Sequence, residues 1–466
     1  MAIEAAMRRI PLPSRRHAGA LAIALFAILT GLAIPVFVGA VDGNPARALV
    51  LPALLLLGML LLYSRMLLLT TILLLRAAGD VFFDTTRVAL GSMQIGVGGL
   101  INAFVIVIAV LLVIEKPGLL PRKMFTLWLP FLLLGLCGVL LAPSRGDAAR
   151  LYLAQVSYCA VFVSAFYVVR TPDDFKRCVR IVLLSSVLPL LYGLADIALH
   201  GGVIGPNGPR LQSTFAHPNI YAFYLTLVVA LGFYVLKSAS YTLSGRQRFG
   251  LSAYLLLSLA MLALTQTRSA WIACFGLFFA YALLFERRYL LYLLLIPLLA
   301  LAIPDVRDRV LELGSGNEVR QYAKLNSFAW RLYIWQSGLA WMRPSHYLLG
   351  YGVDAFAYYS PTFFPLAGKT HFGAHNLYVQ WLFELGALGL LAYLWLFARL
   401  LWVLRRLLAV NRLGGFVLIA LVLQYLAVSA SDNMAAYLAF NWYFWFVAGA
   451  GCALLAHGAP APKGEA

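Results

Sequence analysis

Charge is scarce in this sequence. Only 12% of its 466 residues are Asp, Glu, Lys or Arg, while 62% are hydrophobic. A soluble globular chain carries about twice that charged fraction, so the composition places this one among membrane proteins. Cysteine is scarce too: Cys137, Cys159, Cys178, Cys274 and Cys452 all fall in or beside apolar runs, with no CxxC pair. That excludes a disulfide framework and a zinc knuckle, and predicts cysteines that serve only core packing. Long polar stretches are missing, which leaves no room for a sizeable soluble domain. The net charge of +18 would suggest nucleic acid in a soluble chain. Here the basic residues cluster between apolar runs, so the expected partners are membrane lipids, with no nucleic acid.

What is abundant is apolar sequence of spanning length. A bilayer-crossing helix needs roughly 20 apolar residues. Suitable runs occupy about 18–41, 46–63, 66–83, 92–114, 124–142, 148–169, 178–200, 218–236, 250–267, 269–285, 289–303, 376–398, 413–430 and 435–456. They predict an all-α polytopic membrane protein of about fourteen transmembrane helices. Runs 46–63 and 66–83 are parted only by Ser64 and Arg65, and the second holds Arg76 and Asp80. A re-entrant or interfacial segment there is the alternative, which gives about twelve or thirteen spans. Arg8, Arg9, Arg15 and Arg16 precede the first run as in a secretory leader, but the run is long and more spans follow, so an uncleaved helix is expected.

Lys and Arg collect in alternate loops. Arg8, Arg65, Lys123, Arg177, Lys237, Arg248, Arg288 and Arg405 belong to one set, whereas the short loops of the other hold only Arg47, Arg87, Arg145, Arg150, Arg210 and Arg268. The basic set marks the cytoplasmic side and puts both termini there. The expected organisation is a 1–303 transmembrane region, an outer loop at 304–375, a three-span region at 376–456 and a disordered tail at 457–466.

The outer loop carries the chemistry. Ser327 reads as an N-cap for a helix from Phe328 to Met342, halted before Pro344 and loaded with Trp330, Tyr333, Trp335 and Trp341. Such a helix suits the headgroup level of a bilayer. Arg331 falls in its first turn, where a cation opposes the helix dipole. An anionic ligand would favour it there, and lipid-phosphate snorkelling is the equal alternative. The loop ends at Gly373-Ala374-His375-Asn376. His375 at the mouth of a helix should be neutral and able to act as a general base. At about 100° per residue, Gly386 and Gly389 return to the face of His375, and two glycines there would admit a neighbouring helix.

Arg268, in Thr265-Gln266-Thr267-Arg268-Ser269, and Arg210, before Ala216-His217-Pro218-Asn219, also face outward. Guanidinium forks suit phosphate oxygens. One histidine with several outer arginines suggests transfer from a phosphate-linked lipid donor. His371 and His375 are four apart, but Gly373 intervenes and no Glu or Cys accompanies them, so no metal site is expected. His200, His217 and His346 read as structural, with His217 worth testing.

These residues resemble a known family. His375-Asn376, followed after nine residues by Gly386-Ala387-Leu388-Gly389, is similar to the H-N-x9-G-x-x-G signature of bacterial O-antigen ligases. The Thr-Gln-Thr-Arg-Ser turn and Arg331-Leu332-Tyr333-Ile334-Trp335 look like the other landmarks of that superfamily, and the likeness runs from about Arg210 to Tyr393. The superfamily has a GT-C-like membrane fold and includes O-antigen polymerases and protein O-oligosaccharyltransferases. The resemblance implies a donor of O-antigen on undecaprenyl pyrophosphate and an acceptor hydroxyl of lipid A–core at the periplasmic face of the inner membrane. It further implies His375 as base, Arg268 and Arg331 (with Arg210 as a third contact) on the pyrophosphate, Asn376, Gly386 and Gly389 as structural motif, and no metal or cofactor. Runs 66–114 depart from the shortest ligases. A polysaccharide or lipid transporter is the alternative from another class, with Asp80, Asp196 and Glu384 as its intramembrane acids.

Overall fold

The computed structural model describes residues 50–85, 88–90, 93–95, 97–200, 203–205, 208–302, 307, 311 and 325–457. The expected first span, 18–41, the tail beyond His457 and much of 304–324 lie outside them. The helices are α1 (Val50–Tyr63), α2 (Arg65–Leu75), α3 (Asp80–Thr85), α4 (Val97–Glu115), α5 (Arg122–Leu141), α6 (Arg145–Val168), α7 (Pro172–Ser185), α8 (Val187–His200) and α9 (Pro218–Lys237). They continue with α10 (Gly245–Leu264), α11 (Arg268–Leu284), α12 (Tyr289–Ala300), α13 (Ser327–Trp341), α14 (Ala355–Phe363), α15 (Leu377–Leu404), α16 (Leu407–Val410), α17 (Arg412–Ser429) and α18 (Leu438–His457). Two antiparallel hairpins, β1 (Val88–Leu90) with β2 (Met93–Ile95) and β3 (Val203–Gly205) with β4 (Gly208–Arg210), interrupt the helices; in the second, Val203 pairs with Arg210.

Nine helices among the described residues are long and apolar enough to cross a membrane, counting α7–α8 and α15–α16 each as one. The predicted spans 46–63, 66–83, 269–285 and 289–303 form helices of 14, 11, 17 and 12 residues. Run 66–83 breaks at Leu75 because Arg76 and Asp80 follow, and these form a buried ion pair at 2.9 Å. Asp80 also accepts from the Ala216 amide at 3.2 Å, so this intramembrane acid braces the segment leading to α9.

The bundle centres on α9 and α18, whose most apolar windows are 94% and 89% buried. Peripheral α5 and α10 instead expose Leu133, Leu140, Leu256 and Leu264. Helices apolar all round, with leucine outward, are stable only where the surroundings are apolar too. This is a multi-pass membrane architecture. Four cysteines are buried as expected, but Cys137 is exposed on the outer face of α5.

The loop before α15 departs from expectation. Instead of one surface helix and an irregular stretch, α13 and α14 fold over the start of α15 around their own core of Ile334, Met342, Phe356, Phe363, Phe364 and Phe383. Close approach is the reason: a Cβ on Gly338 would lie 2.8 Å from the Phe356 ring. The cap of α13 is Asn326, whose Oδ1 accepts from the Phe328 and Ala329 amides, and Ser327 is already helical. Arg331 therefore lies beyond the first turn.

Candidate functional site

The mouths of α9, α11, α13, α15 and α18 meet at one end of the bundle. His217 caps α9, its Nδ1 accepting from the Asn219 amide at 3.1 Å, which fixes the proton on Nε2. Asn219 then turns its side chain into the bundle. Its Nδ2 donates to Asp432 Oδ2 at 2.9 Å, and its Oδ1 accepts from Arg210 Nη2 at 2.8 Å. Arg210 also donates to the Thr265 carbonyl and to Thr267 Oγ1, both at 3.0 Å. The guanidinium of Arg210 thus staples β4 to the α10–α11 turn, where Gln266 adopts φ +51°. It is placed as a brace, beside the site.

Arg268 opens α11 directly after Thr267, and its Nη2 donates to Ser327 Oγ at 3.0 Å on α13. One turn along that helix lie Trp330 and Arg331. The Trp330 ring meets His375 edge-on, with centroids 5.8 Å apart, and also packs on Phe364 and Phe372. Arg331 is half-buried and close enough to bias His375 and Tyr437 electrostatically. The structure therefore gathers Arg268, Arg331 and His375 through α13.

His375 is not part of α15. Its φ of +49° is left-handed, a conformation that costs a non-glycine residue about 1–3 kcal/mol and gathers at functional sites. Asn376 ends this excursion by capping α15, its Oδ1 accepting from the Tyr378 and Val379 amides at 3.0 and 3.2 Å. The pairing of His with Asn thus has a local cause: Asn starts the helix and holds His just outside it. Burial pushes the His375 pKa below its ordinary value and the Arg331 charge adds to this, while Asp432 pulls it back up. Burial, rather than the helix dipole invoked from sequence, is the leading cause. His217 is depressed similarly, by burial and then Arg210, again opposed by Asp432.

Gly386 and Gly389 do not share a helical stripe with His375. Gly386 has φ +67° and breaks α15, and its absent Cβ would lie 2.2 Å from the Leu348 carbonyl carbon. What approaches is a loop, not a helix. Gly350, at φ +70°, faces the break reciprocally, 2.3 Å from the Glu384 carbonyl by the same measure. The amides of Tyr351 and Gly352 donate to Phe383 and Glu384, and those of Ala387 and Leu388 donate to Tyr347 and Leu348. Two glycines permit a clamp that satisfies the broken helix and fixes the segment aiming His375. A Cβ on Gly389 would crowd Leu385 at 2.1 Å.

His371 accepts no partner role with His375: it lies exposed, its Nδ1 bonded to the Ala357 carbonyl at 3.1 Å. Among the described residues, no three His, Cys, Asp or Glu side chains group so as to hold a metal ion. The remaining geometry is a depressed-pKa imidazole in electrostatic reach of Arg331 and the buried Asp432 carboxylate, with Arg268 bonded to the start of the helix that carries Arg331. Such a set can take a proton and bind an anion at neighbouring points.

Residues 253–394 match the family model described as O-Antigen ligase. That stretch is similar to O-antigen ligases. No curated protein matches the chain. Within the O-antigen ligase match fall Arg268, Arg331, His375, Asn376, Gly386 and Gly389, whereas Arg210, His217, Asn219 and Asp432 lie outside it. The last two escaped the sequence reading. Asp432 accepts from Asn219 and from the Tyr437 hydroxyl and is 1% exposed. Its signal was a lone acid in Ser431-Asp432-Asn433 between two apolar runs; Asn219 stood one residue after the proline of His217-Pro218.

Proposed function

We propose that this chain is an O-antigen ligase acting at the periplasmic face of the inner membrane, with both termini cytoplasmic. It moves O-antigen polysaccharide from undecaprenyl pyrophosphate to a sugar hydroxyl of lipid A–core. The observation that carries this reading is the placement of His375, strained, half-buried and within electrostatic reach of Arg331, against Trp330 of the helix that Arg268 grips. The acceptor oxygen attacks the anomeric carbon, the bond from that carbon to the pyrophosphate oxygen breaks, and the anomeric centre inverts. His375 takes the hydroxyl proton through a ring nitrogen kept unprotonated by burial. Arg268 and Arg331 bind the pyrophosphate and hold the charge that grows on it as it leaves. Arg210 keeps the Thr265–Ser269 turn in register beneath them.

Reconstitution of the purified protein with lipid-linked O-antigen and rough lipopolysaccharide tests the proposal. The expected product is smooth lipopolysaccharide, lost in His375→Ala. Chain growth on lipid-linked single repeat units, with no transfer to lipopolysaccharide, would make the protein a polymerase. Transfer to a protein would make it an O-oligosaccharyltransferase, and passage of glycan across the bilayer without transfer would make it a transporter.

A further inference from the structure

At the far end of the bundle, a cavity of about 400 Å³ opens between α7, the end of α9 and the connector before α10. The length of α9, about 30 Å at 1.5 Å per residue, separates His217 from Val235 on the cavity wall. The two sites therefore face opposite sides of the membrane.

One face of α7 supplies the charge. Lys176 Nζ lies 2.9 Å from Asp173 and 5.7 Å from the Tyr241 ring centroid. Arg180, one turn on, is exposed and makes no hydrogen bond or ion pair among the described residues. Two cations against one carboxylate leave a single unit of positive charge, suited to a monoanion. Tyr241 supplies a donor: its hydroxyl is buried without a hydrogen-bond partner, and burial raises its pKa so that the proton stays on. A buried hydroxyl left unbonded is unfavourable, and a ligand acceptor would remove that penalty. The opposite wall is apolar, built from Leu183, Val235 and Leu243. Beside it, Leu184 and Leu188 face outward, as lipid-contacting leucines do.

We propose that this cavity binds the phosphodiester headgroup of an anionic membrane lipid. Arg180 and Tyr241 bond the phosphate oxygens, Lys176 adds charge from beside them, and the acyl stems run along the leucine wall. Guanidinium and phenol donors match phosphate oxygens, and the apolar wall selects a lipid over a soluble phosphate.

The test is native mass spectrometry of the full-length protein in neutral detergent, titrated with phosphatidylglycerol, phosphatidylcholine or inorganic phosphate. One phosphatidylglycerol should be retained in preference to phosphatidylcholine. Arg180→Gln should weaken that binding roughly tenfold and Tyr241→Phe about threefold, as expected for one charged and one neutral hydrogen bond. Because Arg180 is exposed, its variant should melt as the wild type does. Wild-type affinity in either variant, or equal retention of phosphatidylcholine, overturns the proposal. So does inorganic phosphate that displaces the lipid at equal concentration, which would assign the cavity to a soluble anion.

Discussion

Replacing Gly386 by alanine probes the clamp that aims His375. The alanine must hold φ near +67°, at a cost of about 1–3 kcal/mol. Its Cβ would also stand 2.2 Å from the Leu348 carbonyl carbon, so the 347–352 loop must retreat. Retreat endangers the four hydrogen bonds that Tyr351, Gly352, Ala387 and Leu388 donate across the break. At about 1 kcal/mol each, losing two or three brings the total to roughly 3–6 kcal/mol. Thermal unfolding in detergent should show a midpoint lowered by roughly 3–6 °C, and transfer should fall with it because His375 loses its support. Gly350→Ala attacks the same contact from the other side. The double variant should therefore cost little more than either single one, because both break one interface. Gly276→Ala is the control: it lies exposed on α11 with nothing within 4 Å of its Cβ, and should be neutral or slightly stabilising. If Gly386→Ala melts like Gly276→Ala, or the two clamp variants add fully, the reciprocal-clamp reasoning fails.

Further expectations follow from the same geometry. His375→Ala should abolish transfer while leaving the unfolding midpoint within about 2 °C, since the ring is only half-buried and alanine meets the same backbone strain at this position; retained transfer would remove the base assignment. Arg331→Gln should lower kcat by about 10²–10³ if it stabilises the leaving group, measured with lipid-linked donor at saturation. The pH profile carries a sign. The His375 pKa is lowered, so the acidic limb of transfer should lie below the ordinary histidine value of about 6.5. By linkage, its contribution to stability is whole above about pH 6.5 and is lost as pH falls through the folded pKa. Asp432→Asn removes the charge that raises it and should move the limb to lower pH, whereas Arg331→Gln should move it higher. Shifts of the same sign in both variants would refute the electrostatic account.

Much of the site was legible because its chemistry is local. His375 followed by Asn376 declares a capped helix mouth, and an arginine in the Thr265–Ser269 turn declares a polar end between two apolar runs. The glycines were visible as well, but their purpose was misread: periodicity assumes an unbroken helix, and only the backbone shows that Gly386 ends it. Arg210 looked free for a ligand until its fork was found on Asn219 and Thr267.

By itself, the sequence determined the class of environment, the all-helical content and which groups stand at helix mouths, since these depend on residues within one or two turns. Tertiary structure alone decided which faces are buried. In a membrane, lipid-facing and core-facing positions are both apolar, so hydrophobic periodicity does not mark the inside. It alone also brought Asp432 to Asn219, 213 positions apart, and thereby supplied the buried carboxylate that opposes the effect of burial on both histidines. No local rule encodes a pairing at that separation; it exists only when α9 and α17 pack against one another.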